Sequence, residues 1–244
     1  MRGVIFVLIF SFLSAYQAQV KPFDTYNVTS SVAGKILEVK KDKEATFYKG
    51  VLVKIDDKQD LIDLKNLNFQ IKLTKEEIKN QEEVVKKKKA IYEKYMRLKT
   101  KSQEAKNLKF YDYINAKNQL ISLKSKLSDL IAKKDKLKDV IDKKNIKVEG
   151  YVESIKVKKG EYVSPGKLIA IVDDLSKEKL TIYVPIDRME NIKNSRVYIN
   201  GKESNFKIYK IWKTPDSKFI TSYKVELIGN GLKVGEIVRV ELRN

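Results

Sequence analysis

Between residues 58 and 147 the chain carries no glycine and no proline, although the whole sequence has ten of one and four of the other. In a helix interior these residues cost about 1 and 3 kcal/mol relative to alanine, so about ninety residues without them predict continuous helix. The apolar positions agree. Leu64, Ile71, Ile78, Val85 and Tyr92 recur every seven residues. Leu120, Leu123, Leu127, Leu130, Leu137 and Ile141 alternate in steps of three, four and seven, with Lys134 the one polar interruption. This is the heptad seam of a coiled coil. It is weaker in the first half, where the partner positions include Thr74, Gln81 and Lys88.

On either side the period changes to two. Before the helical stretch come Val32-Ala33-Gly34-Lys35-Ile36, Lys49-Gly50-Val51-Leu52 and Ile55-Asp56-Asp57. After it come Val148-Glu149-Gly150-Tyr151-Val152, Pro165-Gly166-Lys167-Leu168 and Ile171-Val172-Asp173. Gly34 and Gly50 are sixteen residues apart, as are Gly150 and Gly166. The segments are two copies of one repeat, pushed apart. Each copy reads as short strands joined by turns, with Gly160 at the turn of the second copy where the first has Glu44. Gly34, Gly50, Gly150, Gly160 and Gly166 mark backbone that needs positive φ or close approach. If the copies pair as one small β unit, the chain must leave it and return. A straight rod would carry the second copy about 130 Å away, whereas an antiparallel hairpin brings it back. Symmetry about the repeat places the turn near Ser102, within residues 100–107, and gives two arms of about 43 residues, roughly 65 Å each.

From Leu180 onward the pattern is all-β. Strand-like runs at residues 180–186, 196–199, 206–212, 219–227 and 237–242 alternate with the turn signals Asn200-Gly201, Thr214-Pro215-Asp216 and Gly229-Asn230-Gly231. Five or six short strands of this kind predict a small barrel, with Trp212 in its core.

Composition then excludes much chemistry. There is no cysteine and no histidine. Disulfides, thiolate sites, most zinc sites, Ser-His-Asp triads and histidine acid-base catalysis are therefore absent, and no cofactor is implied. Asp56-Asp57 and Asp173-Asp174 read as solvated turns and helix starts. Met1-Arg2 precedes about eleven strongly apolar residues and then Ser14-Ala15, which is the pattern of a signal peptide spanning residues 1–18 with cleavage near Ala15 or Ala18. The run is shorter than the roughly 20 residues of a bilayer-spanning helix. An uncleaved anchor is the alternative. The formal charge is +19, and residues 58–147 hold 25 Lys plus Arg against 13 Asp plus Glu. Lys86 to Lys89 circle the helix rather than forming a stripe, and export removes the chain from nucleic acid. An acidic protein or anionic lipid headgroups fit the charge better.

The paired motif split by a hairpin resembles the lipoyl-like (biotinyl-like) domain of the periplasmic adaptor, or membrane fusion, proteins, an HlyD-like family that serves efflux and secretion. The resemblance covers about residues 28–244. It includes the last hairpin, where the family's Asn and Leu-Lys-Pro-Gly correspond to Asn230 and Leu232-Lys233-Val234-Gly235. It implies an α+β fold in which an α-helical coiled-coil hairpin is inserted into a split lipoyl-like β domain, followed by a small β-barrel. The implied division is 19–57 for the first strand and half-domain, 58–147 for the hairpin, 148–175 for the second half-domain and 176–244 for the barrel. A swinging-arm carrier shares the lipoyl-like fold, but its modifiable lysine sits on a tight turn that the helices replace here. An exported coiled-coil scaffold is the other alternative.

For function the resemblance implies a non-catalytic bridge between an inner-membrane transporter, with the resistance-nodulation-division (RND) type favoured, and a TolC-like outer-membrane channel, assembled as a homo-oligomer, a hexamer in the family. In efflux adaptors the tip that docks the channel has Arg and Leu before the turn, Ser after it, then an acidic-aromatic pair and Ala. This chain has Arg97-Leu98, Ser102 at the turn, and Asp112-Tyr113 followed by Ala116, with Lys109 at the Ser position when the Ala is the anchor. The spacing is a few residues longer than the family's. Larger RND-type adaptors add a domain beyond the barrel, so the contact with the transporter is expected to differ here.

Overall fold

The computed structural model describes residues 15–190, 192–215 and 217–243. Two helices, α1 (Lys58–Arg97) and α2 (Gln103–Lys143), form an antiparallel hairpin joined by residues 98–102. At 1.5 Å per residue each arm is about 60 Å long. The seam runs in alternating steps of three and four, with Ile71, Thr74 and Ile78 buried on α1 and Ala116 and Leu130 on α2. The polar partner positions sit inside it. Thr74 is buried, and Gln81 donates Nε2–H to the Ala116 carbonyl at 2.9 Å. The turn falls slightly earlier than the symmetry of the repeat suggests, because Ser102 caps α2 by accepting from the Ala105 amide at 3.2 Å.

The chain enters through β1 (Ala15–Gln19) and β2 (Lys21–Thr29), then forms β3 (Gly34–Val39) and β4 (Thr46–Ile55) before the hairpin. After the hairpin come β5 (Asn145–Ile155), β6 (Tyr162–Val163) and β7 (Leu168–Pro185). The last strands are β8 (Arg196–Ile199), β9 (Lys202–Glu203), β10 (Lys207–Pro215), β11 (Ser222–Gly229) and β12 (Ile237–Arg243). One sheet runs β10-β11-β7-β5-β4-β3-β6 with β2 also on β7, and the other runs β1-β12-β8-β9.

The two halves of the repeat fold into one unit. β4 pairs antiparallel with β5, Tyr48 opposite Gly150 and Gly50 opposite Val148. One apolar core takes Ile36, Leu52, Val53 and Ile55 from the first copy and Val152, Ile155, Val163, Ile169 and Val172 from the second. Each copy's turn reaches back to the other's first strand. The Gly160 amide donates to the Ile36 carbonyl at 2.9 Å, and the Ala45 amide donates to the Val152 carbonyl, at the same repeat offset as Ile36, at 2.8 Å. Lacking a glycine, the first turn instead uses a short 3-10 turn (Lys41–Lys43) and places Ala45 at φ 57°. Close approach explains Gly34 and Gly150. A Cβ on Gly34 would meet Ile55 Cγ2 at 2.5 Å, and one on Gly150 would meet the Asp173 carbonyl oxygen at 2.8 Å. Gly50 lies within β4, and Gly160 and Gly166 lie in turns.

The second core, in the barrel, packs Ala18, Val20, Leu180, Ile182, Val184, Ile192, Val197, Phe206, Leu227 and Val240. β7 is one strand of 18 residues that serves both cores, where the sequence pattern suggested a break near residue 175. Its polar middle is explained by β2, with Thr25 donating Oγ1–H to Asp173 Oδ1 at 2.7 Å. Trp212 is half-buried rather than in the core, with the ammonium groups of Lys210 and Lys224 at 4.8 and 4.2 Å from its ring centroid. Phe219 lies in a loop, and β11 begins at Ser222. Of the expected signal peptide, residues 1–14 lie outside the described residues; residues 15–18 lie in β1, paired with β12.

Candidate functional site: the hairpin tip and its root

The hairpin's root is locked to the lipoyl-like unit by Lys144, the residue after α2. Its Nζ donates to the Asp56 carbonyl at 2.7 Å and to the Asp60 carboxylate, and its own carbonyl accepts from the Ile55 amide at 2.9 Å. Asp57 is buried and ion-paired with Lys54 at 3.5 Å, and Lys58 is the first residue of α1. These acidic residues therefore act as helix-start and anchoring groups. Asp174 plays a similar part in β7. The Ser176 hydroxyl and amide hydrogen-bond to its carboxylate and hold it below the ordinary aspartate value.

At the far end the aromatic residues face across the helix pair. Tyr92 stacks on Tyr113 with centroids 6.1 Å apart and planes 5° off parallel, and meets Phe110 at 5.5 Å. Lys109 pairs with Asp112 at 3.2 Å, and Asp112 also faces Lys88 at 3.9 Å across the seam. Lys101 and Lys109 both place ammonium groups within 6 Å of the Tyr95 ring centroid. Three of the residues named from the motif, Lys109, Asp112 and Tyr113, thus spend their side chains closing the hairpin. Ser102 is the helix cap and Leu98 is half-buried in the turn.

What remains for a partner is different. Arg97 ends α1, is exposed, and among the described residues makes no ion pair or side-chain hydrogen bond. Around the tip Met96 is 46% exposed, Leu108 57% and Tyr111 60%. The motif picked out Arg97 but not Met96 or Leu108. The signal for those two was their position off the heptad seam, where an apolar side chain has no intramolecular cover. A guanidinium among exposed apolar and aromatic groups is the composition of a protein-binding anchor.

No protein-family model matches the sequence, and comparison with curated proteins finds no relative. Solved structures do match. The chain resembles the crystal structure of MacA from Actinobacillus actinomycetemcomitans with a TM-score of 0.76, 17% identity, and coverage of 94% of this chain and 78% of the other. It resembles the membrane fusion protein Spr0693 from Streptococcus pneumoniae R6 with a TM-score of 0.65, 14% identity and coverage of 95% and 99%. A chimera of MacA carrying the hairpin domain of Pseudomonas aeruginosa MexA aligns with a TM-score of 0.59, 16% identity and coverage of 94% and 78%. At these identities the likeness is one of fold, extending over the hairpin, the lipoyl-like unit and the barrel together. The chain has the fold of the periplasmic adaptor, or membrane fusion, proteins.

Proposed function

We propose that this chain is a non-catalytic periplasmic adaptor linking an inner-membrane transporter to an outer-membrane channel for efflux or secretion. The observation that carries the reading is the tip. An arm of about 60 Å, locked at its root by Lys144, presents unpaired Arg97 beside exposed Met96, Leu108 and Tyr111. The partners it fits best are a TolC-like channel at the tip and a transporter of the RND type at the barrel. Export by the amino-terminal leader delivers the chain to the periplasm, and cleavage near Ala15 leaves β1 nearly whole.

Self-assembly, as a hexameric ring, is supported by apolar surface that the monomer leaves uncovered. Phe47 and Tyr162 protrude from the lipoyl-like unit, and Ile62, Phe69, Leu73, Val84 and Ile91 form a second, outward line along α1. Neighbouring copies packed side by side can cover both.

The chain has no cysteine, so a single cysteine at Lys101 or Lys106 gives an unambiguous crosslinking probe. In cells these probes should capture an outer-membrane channel, and Arg97→Ala should reduce the yield. Products formed only with inner-membrane proteins would overturn the reading.

A further inference from the structure

The barrel end farthest along β7 from the lipoyl-like core collects several chain segments. Ser222 pairs with Pro185, Arg243 with Arg196 and Ala15 with Glu241, so the loop before β11, the short turns between β7 and β8, and the start of β1 all lie there. Ile186 and Phe219 are exposed at this end, and Ile220 is 74% exposed. They are held in place rather than dangling. The Ile186 amide donates to the Thr221 carbonyl at 3.1 Å, the Ser222 amide to the Phe219 carbonyl at 2.9 Å, and the Phe219 ring packs 4.2 Å from Tyr183. A lone exposed apolar residue needs no explanation, but three fixed at one end form a patch.

The patch is edged by positive charge. Arg188, Lys193, Lys213 and Lys218 are exposed there against Asp187 and Glu190, among the described residues. Beside it a groove of about 980 Å³ runs between the turns and β10, lined by Met189, Ile192, Lys193, Tyr209, Trp212 and Lys213. Long cationic side chains around aliphatic and aromatic tips match the boundary between lipid headgroups and acyl chains. There the cations meet phosphate and the apolar groups enter the hydrocarbon edge.

We propose that this end of the barrel is a docking surface for an anionic phospholipid bilayer, with Ile186, Phe219 and Ile220 as the inserting groups and Arg188, Lys193, Lys213 and Lys218 as the phosphate contacts. It rests on the adaptor reading only for the presence of a bilayer beside the barrel. Contact here sets the barrel on the membrane independently of any transporter.

The chain has one tryptophan, so the full-length Trp212→Phe, Ile220→Trp protein carries a single reporter at the patch. With vesicles containing phosphatidylglycerol, its emission should shift to the blue and be quenched by bromine-labelled acyl chains. Phosphatidylcholine vesicles should give much weaker effects, and added salt should reverse binding. Arg188→Gln with Lys218→Gln should weaken binding by about tenfold or more. A Trp212→Phe, Tyr111→Trp protein, with its reporter at the hairpin tip, should not respond. If Trp212→Phe unfolds the barrel, Ile220→Cys labelled with an environment-sensitive dye reads the same contact. The proposal is overturned by an unresponsive patch reporter, by an equal response at the tip, or by patch variants that keep vesicle binding and lose only a co-purifying transporter. None of these results bears on channel capture at the tip, so the two readings fail separately.

Discussion

The hairpin and the β body bury apolar surface in opposite ways. Helices of 40 and 41 residues share only four buried apolar side chains, Ile71, Ile78, Ala116 and Leu130. The body encloses two cores of thirteen buried residues each, lined from several strands. A two-helix seam is one side chain wide and water reaches it from both flanks, so its stability is local and each step along it holds only its neighbours. A core closed on all sides is cooperative. The arm gains length at small cost in residues, and the body supplies a firm base.

Matched truncations should break this contrast most visibly. Ile169→Ala in the lipoyl-like core should cost about 2–5 kcal/mol, because a closed core cannot collapse on the void. Leu130→Ala in the seam should cost about 2 kcal/mol, close to the transfer value alone. Denaturant melts give the sizes, and hydrogen exchange should show the first variant loosening the whole body and the second only the adjoining helical turns. Equal costs and equal spread would erase the distinction.

Lys144→Met tests the join between the two regions. It leaves the Asp60 carboxylate and the Asp56 carbonyl without their donor, at about 1–2 kcal/mol. Spin labels at Lys101 and in the barrel should report a broader distance distribution while both cores keep their protection. At the tip, Ser102→Ala removes the α2 cap, at about 1 kcal/mol, and should fray only the first turn of α2, measurable by exchange at Ala105 and Lys106.

Acid sharpens the comparison from the other side. Glu44 accepts from the Ile155 amide and Glu161 from the Lys158 amide, and these bonds hold both carboxyls below the ordinary glutamate value of 4.5. Their stabilisation is whole above that value and is lost as the pH falls through the lowered folded-state values. Both residues brace turns of the lipoyl-like unit, so an acid titration carried below pH 4.5 should loosen those turns. Glu44→Gln with Glu161→Gln should flatten the response.

The arm was legible in the amino-acid sequence because helical period and missing breakers are local signals. Even the polar positions Thr74, Gln81 and Lys88 fell on the seam the heptads marked, and all three are turned inward. The repeat was legible through its glycines. β7 was not legible as one strand, because its middle, from Asp173 to Lys179, is polar; what keeps it extended is pairing with β2, a partner about 150 residues earlier, and such pairing leaves no local trace. β1 was hidden because its residues fall within the span that reads as a leader. Trp212 shows the limit of reading aromatics as core, since two lysine ammonium groups lie against its ring instead. At the tip, a motif names residue types but not which way they turn. Lys109, Asp112 and Tyr113 make contacts within the hairpin, whereas Arg97 makes no ion pair or side-chain hydrogen bond among the described residues.

The undivided β7 has a mechanical consequence. The two cores are joined through the backbone of one strand, hydrogen-bonded alongside to β2, and not through a flexible tether. A pull or twist applied where the arm is rooted is therefore transmitted as torsion of a ribbon, and the barrel turns with it rather than swivelling freely.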